Sequence, residues 1–238
     1  MNVVTCRLAD TSFRMLVTND WETNRANTLA TKEPETVRWI LENVRAGDTL
    51  FDIGANNGVY TLLAAAHAPG ARVVAVEPMA ATFARLCENI VLNRFTNVDP
   101  YCVAISASQS LGTLNLSSLE AASSMHSLGE TGLTEQFGEA IVLRAGIGLT
   151  TIDALTAFAG TPTLMKIDVD GGEDDVLAGA SSTLRDPRLR SVIIEFNYPP
   201  AAPSRRDEPL LAAGFVAVEE GIEYERADVR WRNVIYRK

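Results

Sequence analysis

The chain has 238 residues, of which 47% are hydrophobic, enough for one α/β domain with a sizeable core. Its net charge is −9 and its isoelectric point about 4.8, so it lacks the basic surface typical of nucleic-acid-binding proteins. No apolar run could span a bilayer, the N-terminus lacks a signal-peptide pattern, and the three cysteines show no CxxC spacing, so we expect a cytoplasmic location.

The first 32 residues are expected to form a β cap that precedes the core. Apolar and polar residues alternate over residues 3–20, which predicts a hairpin. Residues 21–30 are polar and are predicted to form a loop. A helix is predicted over residues 32–45, because Pro34 suits a first turn and an apolar stripe follows.

Residues 49–58, TLFDIGANNG, form the most informative stretch. A short apolar run broken by Gly and Asn predicts a buried strand that ends in a tight loop, and the Ala- and Leu-rich residues after it predict a helix. Gly54 is expected to allow the sharp turn, and Gly58 to let the helix start approach a ligand. Together these elements form the first half of a nucleotide-binding βαβ unit.

A second buried strand, residues 72–77, ends in Glu77, which lies 77 − 52 = 25 residues after Asp52. This is near the spacing of roughly 20 residues at which an acid meets ribose hydroxyls. The loop lacks the second glycine of G-x-G-x-x-G, Asn56 would crowd a pyrophosphate, and Asp52 would repel one. The sequence therefore favours S-adenosylmethionine, with its cationic sulfonium and ammonium, over NAD.

A helix over residues 78–93 and a third strand over residues 98–105 are predicted next. Residues 106–150 depart from this compact pattern, with two strands at 112–116 and 140–144 around a Ser/Gly-rich stretch. Such excursions are commonly lids or binding loops, so we expect a lid-like insertion whose residues 117–139 are mobile without ligands. His126 lies in it and is a candidate substrate contact, although a loop histidine is more often simply solvated.

A short helix is predicted over residues 151–159. Residues 164–173, LMKIDVDGGE, predict a strand that ends in acids and glycines, and a helix is predicted over residues 174–184. A strand, a proline-rich turn, a helix and two further strands are predicted at 191–196, 198–203, 208–213, 215–218 and 229–236. This order predicts an α/β fold with a mostly parallel, seven-stranded sheet, helices on both faces and a C-terminal antiparallel hairpin.

Five motifs occur in an order that resembles the FkbM family of S-adenosylmethionine-dependent methyltransferases: DIGANNGVYT, VVAVEPMAATFARLCENI, TTIDAL, KIDVDGGEDDVL and SVIIEFN. The resemblance covers residues 33–200 and implies a class I methyltransferase with a Rossmann-like doubly wound sheet. From the length of the chain we expect a single domain over residues 1–238. It implies that Asp52 and Gly54 hold the methionine part of the cofactor, Glu77 holds the ribose and Ala104 lines the adenine pocket. The other residues expected at the cofactor site are Ala55, Asn56, Gly58, Tyr60, Thr61, Pro78 and Met79.

This chain departs from the family pattern at two positions. Asp170 stands where the family usually has Glu, which shortens that acid by one methylene. Met79 stands where the family often has Asn, which is expected to change only the pocket wall.

For a hydroxyl acceptor, Asp168 at the end of a strand is the expected general base or orienting group. Asp168, Asp170 and Glu173 are alternatively candidate ligands of a divalent cation, although a metal is not expected. Helix capping is the structural alternative for this cluster.

The leading functional hypothesis is O-methylation of a small molecule, such as a sugar, polyketide or other natural-product intermediate. A carboxylate or amine acceptor, or a non-catalytic S-adenosylmethionine-binding protein, are the alternatives. The expected partner is a small-molecule substrate rather than nucleic acid or a membrane, and the sequence is compatible with a homodimer.

Overall fold

The computed structural model describes residues 2–129, 140–198, 206–226 and 229–238. Two compact units are distinguished: unit 1 comprises Met1–Cys102 and Leu119–Ser123, and unit 2 comprises Val103–Ser118 and Ser124–Lys238. Most of the predicted proline-rich turn and residues 130–139 of the predicted lid lie outside the described residues. No helix within the described ranges is long and apolar enough to cross a membrane.

Unit 1 alternates strands and helices after an N-terminal hairpin. Its elements are β1 (Asn2–Leu8), β2 (Thr11–Val17), α1 (Asp20–Asn27), α2 (Pro34–Asn43), β3 (Thr49–Ile53), α3 (Val59–His67), β4 (Arg72–Val76), α4 (Ala80–Asn93) and β5 (Val98–Tyr101). Strands β3, β4 and β5 are parallel, with β4 in the middle. The apolar residues of β3 and β4 are almost fully buried, as expected for parallel strands covered by helices.

The predicted hairpin is confirmed as the antiparallel pair β1 and β2. It is fastened to α4 by two amides, since Asn89 Oδ1 accepts the backbone N–H of Leu16 at 2.8 Å and Asn93 Oδ1 accepts that of Arg14 at 2.7 Å. The N-terminal cap therefore braces the helix that follows β4.

The prediction of a loop at residues 21–30 is wrong, because α1 occupies most of that stretch. Its sequence shows no apolar stripe, and two polar devices stabilise it instead. The side chain of Asn19 caps the helix by accepting the N–H of Glu22 at 2.9 Å. Glu22 is fully buried, accepts the N–H of Thr18 at 2.6 Å and forms an ion pair with Arg85 of α4.

Unit 2 begins with a small sheet and continues with alternating strands and helices. Its elements are β6 (Ala104–Ile105), β7 (Ser110–Leu116), β8 (Ser127–Leu128), β9 (Leu143–Thr150), α5 (Ile152–Ala159), β10 (Leu164–Ile167), α6 (Glu173–Ala178), α7 (Ser181–Arg185), β11 (Ser191–Tyr198), α8 (Glu208–Ala212), β12 (Val216–Glu220), β13 (Tyr224–Arg226) and β14 (Val229–Arg237). β10 and β11 are parallel, and β11, β14 and β12 follow one another antiparallel, which confirms the C-terminal hairpin. β13 is an additional short strand on β14.

Three predicted elements differ in the structure. The strand expected at residues 98–105 is two strands, since β6 pairs with β9 rather than continuing β5. The strand expected at 140–144 begins only at Leu143 and extends to Thr150. The helix expected at 174–184 is broken between α6 and α7 at Gly179, where an added Cβ would overlap the carbonyl oxygen of Ser106.

Candidate active site

Asp52, the predicted partner of the cofactor's amino-acid end, lies in unit 1 near the end of β3 and is 1% exposed. Its Oδ2 accepts the hydroxyl hydrogen of Thr61, in the first turn of α3, at 2.5 Å. Thr61 is itself fully buried. The strand end and the helix start are therefore joined by a charge-assisted hydrogen bond across the loop.

The loop between β3 and α3 turns over the end of β4. The amides of Gly54 and Ala55 both donate to the carbonyl oxygen of Val76, at 3.0 and 2.9 Å. Gly54 has φ 79° and Gly58 φ 93°, values that favour glycine. An added Cβ at Gly58 would lie 2.5 Å from Cδ1 of Leu86 in α4, so a larger residue there would have to displace that side chain.

Glu77, the predicted ribose acid, is 6% exposed and binds two backbone amides. Its Oε2 accepts the N–H of Asn56 at 2.9 Å, and its Oε1 accepts that of Met79 at 2.8 Å. Asn56 has φ 52°, which asparagine tolerates better than most residues. Glu77 thus positions the two loops that follow β3 and β4, in addition to any role toward a ligand.

Asn57 is a candidate that the sequence analysis did not single out. Its side chain is fully buried, and neither Oδ1 nor Nδ2 has a hydrogen-bond partner among the residues described. Buried polar groups are nearly always satisfied, so an atom of this kind calls for a water or ligand partner. The only sequence signal was the pair of adjacent asparagines in a loop of small residues.

Residues Leu119–Ser123, here called the anchored segment, return from the insertion to unit 1. Asn19 and Arg25 donate to the carbonyls of Ala121 and Ala122, both at 2.9 Å. Asn56 Nδ2 donates to the carbonyl of Ser123 at 3.0 Å. This part of the predicted lid is therefore tied to α1 and to the loop after β3.

In unit 2, Asp168 directly follows β10. Its Oδ2 forms a 2.9 Å ion pair with Nζ of Lys166, whose side chain is 3% exposed, whereas that of Asp168 is 25% exposed. Solvent or a substrate can thus reach the acid but not the lysine.

Glu173 is fully buried at the start of α6. Its Oε1 accepts the N–H of Gly171 at 2.8 Å and Nδ2 of Asn197 at 2.9 Å, and its Oε2 lies 3.3 Å from Nη2 of Arg206. Burial raises the pKa of Glu173 to about 7, against the opposing effect of these hydrogen bonds. Glu173 therefore holds the turn after β10 through its bonds to Gly171, Asn197 and Arg206.

Asp170 and His126 each accept a hydrogen bond from a backbone N–H of unit 2. Oδ2 of Asp170, a residue with φ 39°, accepts the N–H of Met125 at 2.8 Å. Nδ1 of His126 lies 3.3 Å from the N–H of Ser117. If Nδ1 accepts that hydrogen, the neutral ring carries its proton on Nε2 and offers a donor there rather than a base.

The three metal candidates point to different partners: Asp168 to Lys166, Asp170 to Met125, and Glu173 to Asn197 and Arg206. Within the described part of the chain, no group of three or more His, Cys, Asp or Glu residues is arranged to hold a metal ion.

The structure brings most of the predicted cofactor residues together in unit 1, on and beside the loops after β3 and β4. Ala55, Tyr60, Thr61 and Met79 are buried there. Ala104 lies in β6, in the small sheet of unit 2. The roles assigned to these residues remain predictions.

The loops of unit 1 suit the donor that the family resemblance implies. A buried carboxylate at Asp52, a second at Glu77 and the buried amide of Asn57 are polar groups of the kind that bind the ammonium and hydroxyl groups of S-adenosylmethionine. A pyrophosphate would instead meet two carboxylates.

Comparison with known proteins agrees with this chemistry. A family model described as the methyltransferase FkbM domain matches residues 52–217, which is more than half of the chain. The 31-O-demethyl-FK506 methyltransferase FkbM of Streptomyces tacrolimicus is 29% identical over 203 residues, covering 74% of this chain and 76% of that protein.

The fold has a counterpart among solved structures. The S-adenosylmethionine-dependent methyltransferase of Agrobacterium tumefaciens aligns with a TM-score of 0.54 at 12% identity, over 99% of this chain and 69% of that one. This likeness confirms the predicted Rossmann-like α/β fold. The family match over residues 52–217 shows that the chain belongs to the FkbM family of S-adenosylmethionine-dependent methyltransferases.

Proposed function

We propose that this methyltransferase methylates a hydroxyl group of a small molecule, such as a sugar, polyketide or other natural-product intermediate. The observation that carries the proposal is the ion pair of Asp168, a partly exposed acid at the end of a parallel strand, with the buried Lys166. The name of the Streptomyces relative, a 31-O-demethyl-FK506 methyltransferase, supports methylation at oxygen.

When bound, S-adenosylmethionine supplies a methyl group on a cationic sulfonium. Asp52 and Glu77 would hold its ammonium and ribose ends, and Asn57 would meet a further polar group. Asp168 would accept the proton that the acceptor hydroxyl loses as its oxygen gains the methyl group. Lys166 would hold the carboxylate in position through their 2.9 Å ion pair.

We test this with an Asp168→Asn variant and labelled methyl donor, screened against hydroxylated metabolites that include 31-O-demethyl-FK506. Asparagine keeps the size of aspartate but cannot take the proton, so turnover should fall by roughly 10²–10⁴-fold. Affinity for S-adenosylhomocysteine, measured by calorimetry, should hardly change.

Asp174→Asn is the matched control, because Asp174 is an exposed acid in the first turn of α6, close to Asp168 in the sequence, and should keep wild-type turnover. Near-normal turnover of Asp168→Asn would make Asp168 a structural residue. Loss of wild-type activity with EDTA and its recovery with magnesium would assign Asp168 to a metal site instead. Labelling of carboxylates or amines, but no hydroxyl, would overturn the O-methylation proposal.

A further inference from the structure

A partly exposed aromatic pair lies on the C-terminal hairpin of unit 2. The rings of Tyr224 in β13 and Trp231 in β14 stack with centroids 5.8 Å apart and planes inclined by 19°. Both residues are half-buried, so part of this surface meets solvent. We call these two residues the aromatic platform.

The strand register places the platform on the same face of the sheet as Lys166 of β10, the ion-pair partner of Asp168. Trp231 is paired with both Asn197 of β11 and Tyr224 of β13, and directly paired residues project from one face. Lys166 is paired with Ile193 of β11, which shares that face with Asn197 because side chains alternate along a strand. The partner of Asp168 and the platform therefore share one side of the sheet.

Two sets of contacts link the residues after β10 to β11, the strand beside the platform, and to β13. Glu173 accepts Nδ2 of Asn197, the residue beside Trp231, at 2.9 Å. Asp170 accepts the N–H of Met125, and Nη1 of Arg226 in β13 lies 3.8 Å from the sulfur of Met125. Neighbouring strands lie about 4.8 Å apart, and Trp231 lies one strand beyond Asn197. An acceptor the size of a sugar ring or larger could therefore extend from Asp168 to the platform.

The charges of the hairpin favour a neutral ligand. Arg230 pairs with Glu225 at 2.9 Å, and Arg232 pairs with Glu220 at 2.6 Å and with Glu223 at 3.2 Å. Because carboxylates of the hairpin already pair with these two guanidinium groups, Arg230 and Arg232 are poorly suited to bind a phosphate. What the platform offers is the electron-rich face of aromatic rings, which attracts the C–H hydrogens of a ring laid against it.

We infer that Tyr224 and Trp231 form a subsite that binds the non-reacting part of the acceptor, and that the acceptor carries a neutral saturated ring such as a pyranose or a polyketide ring. This inference rests on the proposed function and adds to it two specificity-determining residues and the requirement that the ring they bind is neutral. Stacking would hold the ring while a hydroxyl on the same molecule is presented to Asp168.

The subsite can be tested by saturation-transfer difference NMR on the full chain in the presence of excess S-adenosylhomocysteine. The neutral probes are methyl β-D-glucopyranoside and 31-O-demethyl-FK506, and glucose 6-phosphate is the charged probe. We expect a neutral probe to bind with the strongest saturation on its ring C–H protons. Tyr224→Ala and Trp231→Ala should each weaken it at least tenfold, and Trp231→Phe by less than threefold.

Phe158→Ala is the matched control, because Phe158 is an 87% exposed aromatic residue on α5 and should leave probe binding unchanged. The inference is overturned if neither neutral probe binds, if glucose 6-phosphate binds more tightly than both, or if the two alanine variants bind as wild type does. Calorimetry with S-adenosylhomocysteine separates the two proposals. Absence of that binding refutes the proposed function together with the subsite, whereas normal binding without probe binding refutes the subsite alone.

Discussion

Protonation of the buried Glu173 couples the stability of this enzyme to pH. Burial raises its pKa from 4.5 to about 7, so the folded protein keeps a proton between these values that the unfolded chain has lost. The contribution of this proton to the free energy of unfolding is fully present below pH 4.5, decreases as the pH rises, and is lost above about pH 7. At 1.36 kcal/mol per pKa unit, the change amounts to about 3 kcal/mol.

Glu173→Gln should remove this dependence, because glutamine does not titrate. Urea unfolding at pH 5, 6, 7 and 8 should show that the free energy of unfolding of the wild type falls relative to the variant and levels off above pH 7. Glu208→Gln, at an exposed acid of α8, serves as the control. Parallel curves for the wild type and Glu173→Gln would contradict the raised pKa.

Single residues show how far the site could be predicted. Asp52, Glu77 and Asp168 were predicted because each ends or follows an apolar run, a local pattern. The bonds from Glu77 to the amides of Asn56 and Met79 could not be predicted, since they depend on backbone angles in two loops. The burial of Asn57 was missed for the same reason.

Among the elements, the anchored segment is held partly by α4. The N–H of Ala122, a fully buried residue, donates to Oγ1 of Thr82 at 3.1 Å. Thr82→Val keeps the shape but removes the acceptor, so a buried amide would lose its partner at a cost of about 1–3 kcal/mol. Urea unfolding should show that loss, and hydrogen exchange should show reduced protection of the Ala122 amide.

Thr96→Val, at an exposed threonine, should have little effect and is the matched control. Unchanged protection of the Ala122 amide in Thr82→Val would mean that the other contacts suffice to hold the anchored segment. Residues 117–139 were predicted to be mobile without ligands. The hydrogen bonds of the anchored segment are expected to limit that mobility at Leu119–Ser123, and residues 130–139 lie outside the described part of the chain.

Gly179 separates α6 from α7 because it lies against the backbone of Ser106. Gly179→Ala should cost about 1–3 kcal/mol or more, since a carbonyl oxygen cannot move aside as a side chain can. Gly146→Ala is the control, because an added Cβ there meets nothing within 4 Å. Thermal denaturation of both variants measures the difference, and equal melting temperatures would show that the backbone relaxes at no cost.

At the scale of the whole molecule, elements with local signals were predicted and those that depend on distant partners were not. β3, β4, β10 and β11 are short, mostly buried segments rich in apolar residues, a pattern that predicts a strand without reference to the rest of the chain. α1 depends on Arg85, more than 50 residues later, and β6 depends on β9, more than 35 residues later. No sequence window as short as one helix or strand contains both members of either pair.

The path of the chain through the two units bears on the cooperativity of unfolding. Unit 1 combines Met1–Cys102 with Leu119–Ser123, and unit 2 combines Val103–Ser118 with Ser124–Lys238, so neither unit is one continuous piece. We therefore predict that the chain unfolds as the single domain proposed from the sequence, in one calorimetric transition whose enthalpy equals the van't Hoff enthalpy. S-adenosylhomocysteine at 100 times its Kd should stabilise the folded state by about 2.7 kcal/mol and move the whole transition upward, while NAD should not. Two resolved transitions, with only one shifted by the ligand, would show that the units unfold independently.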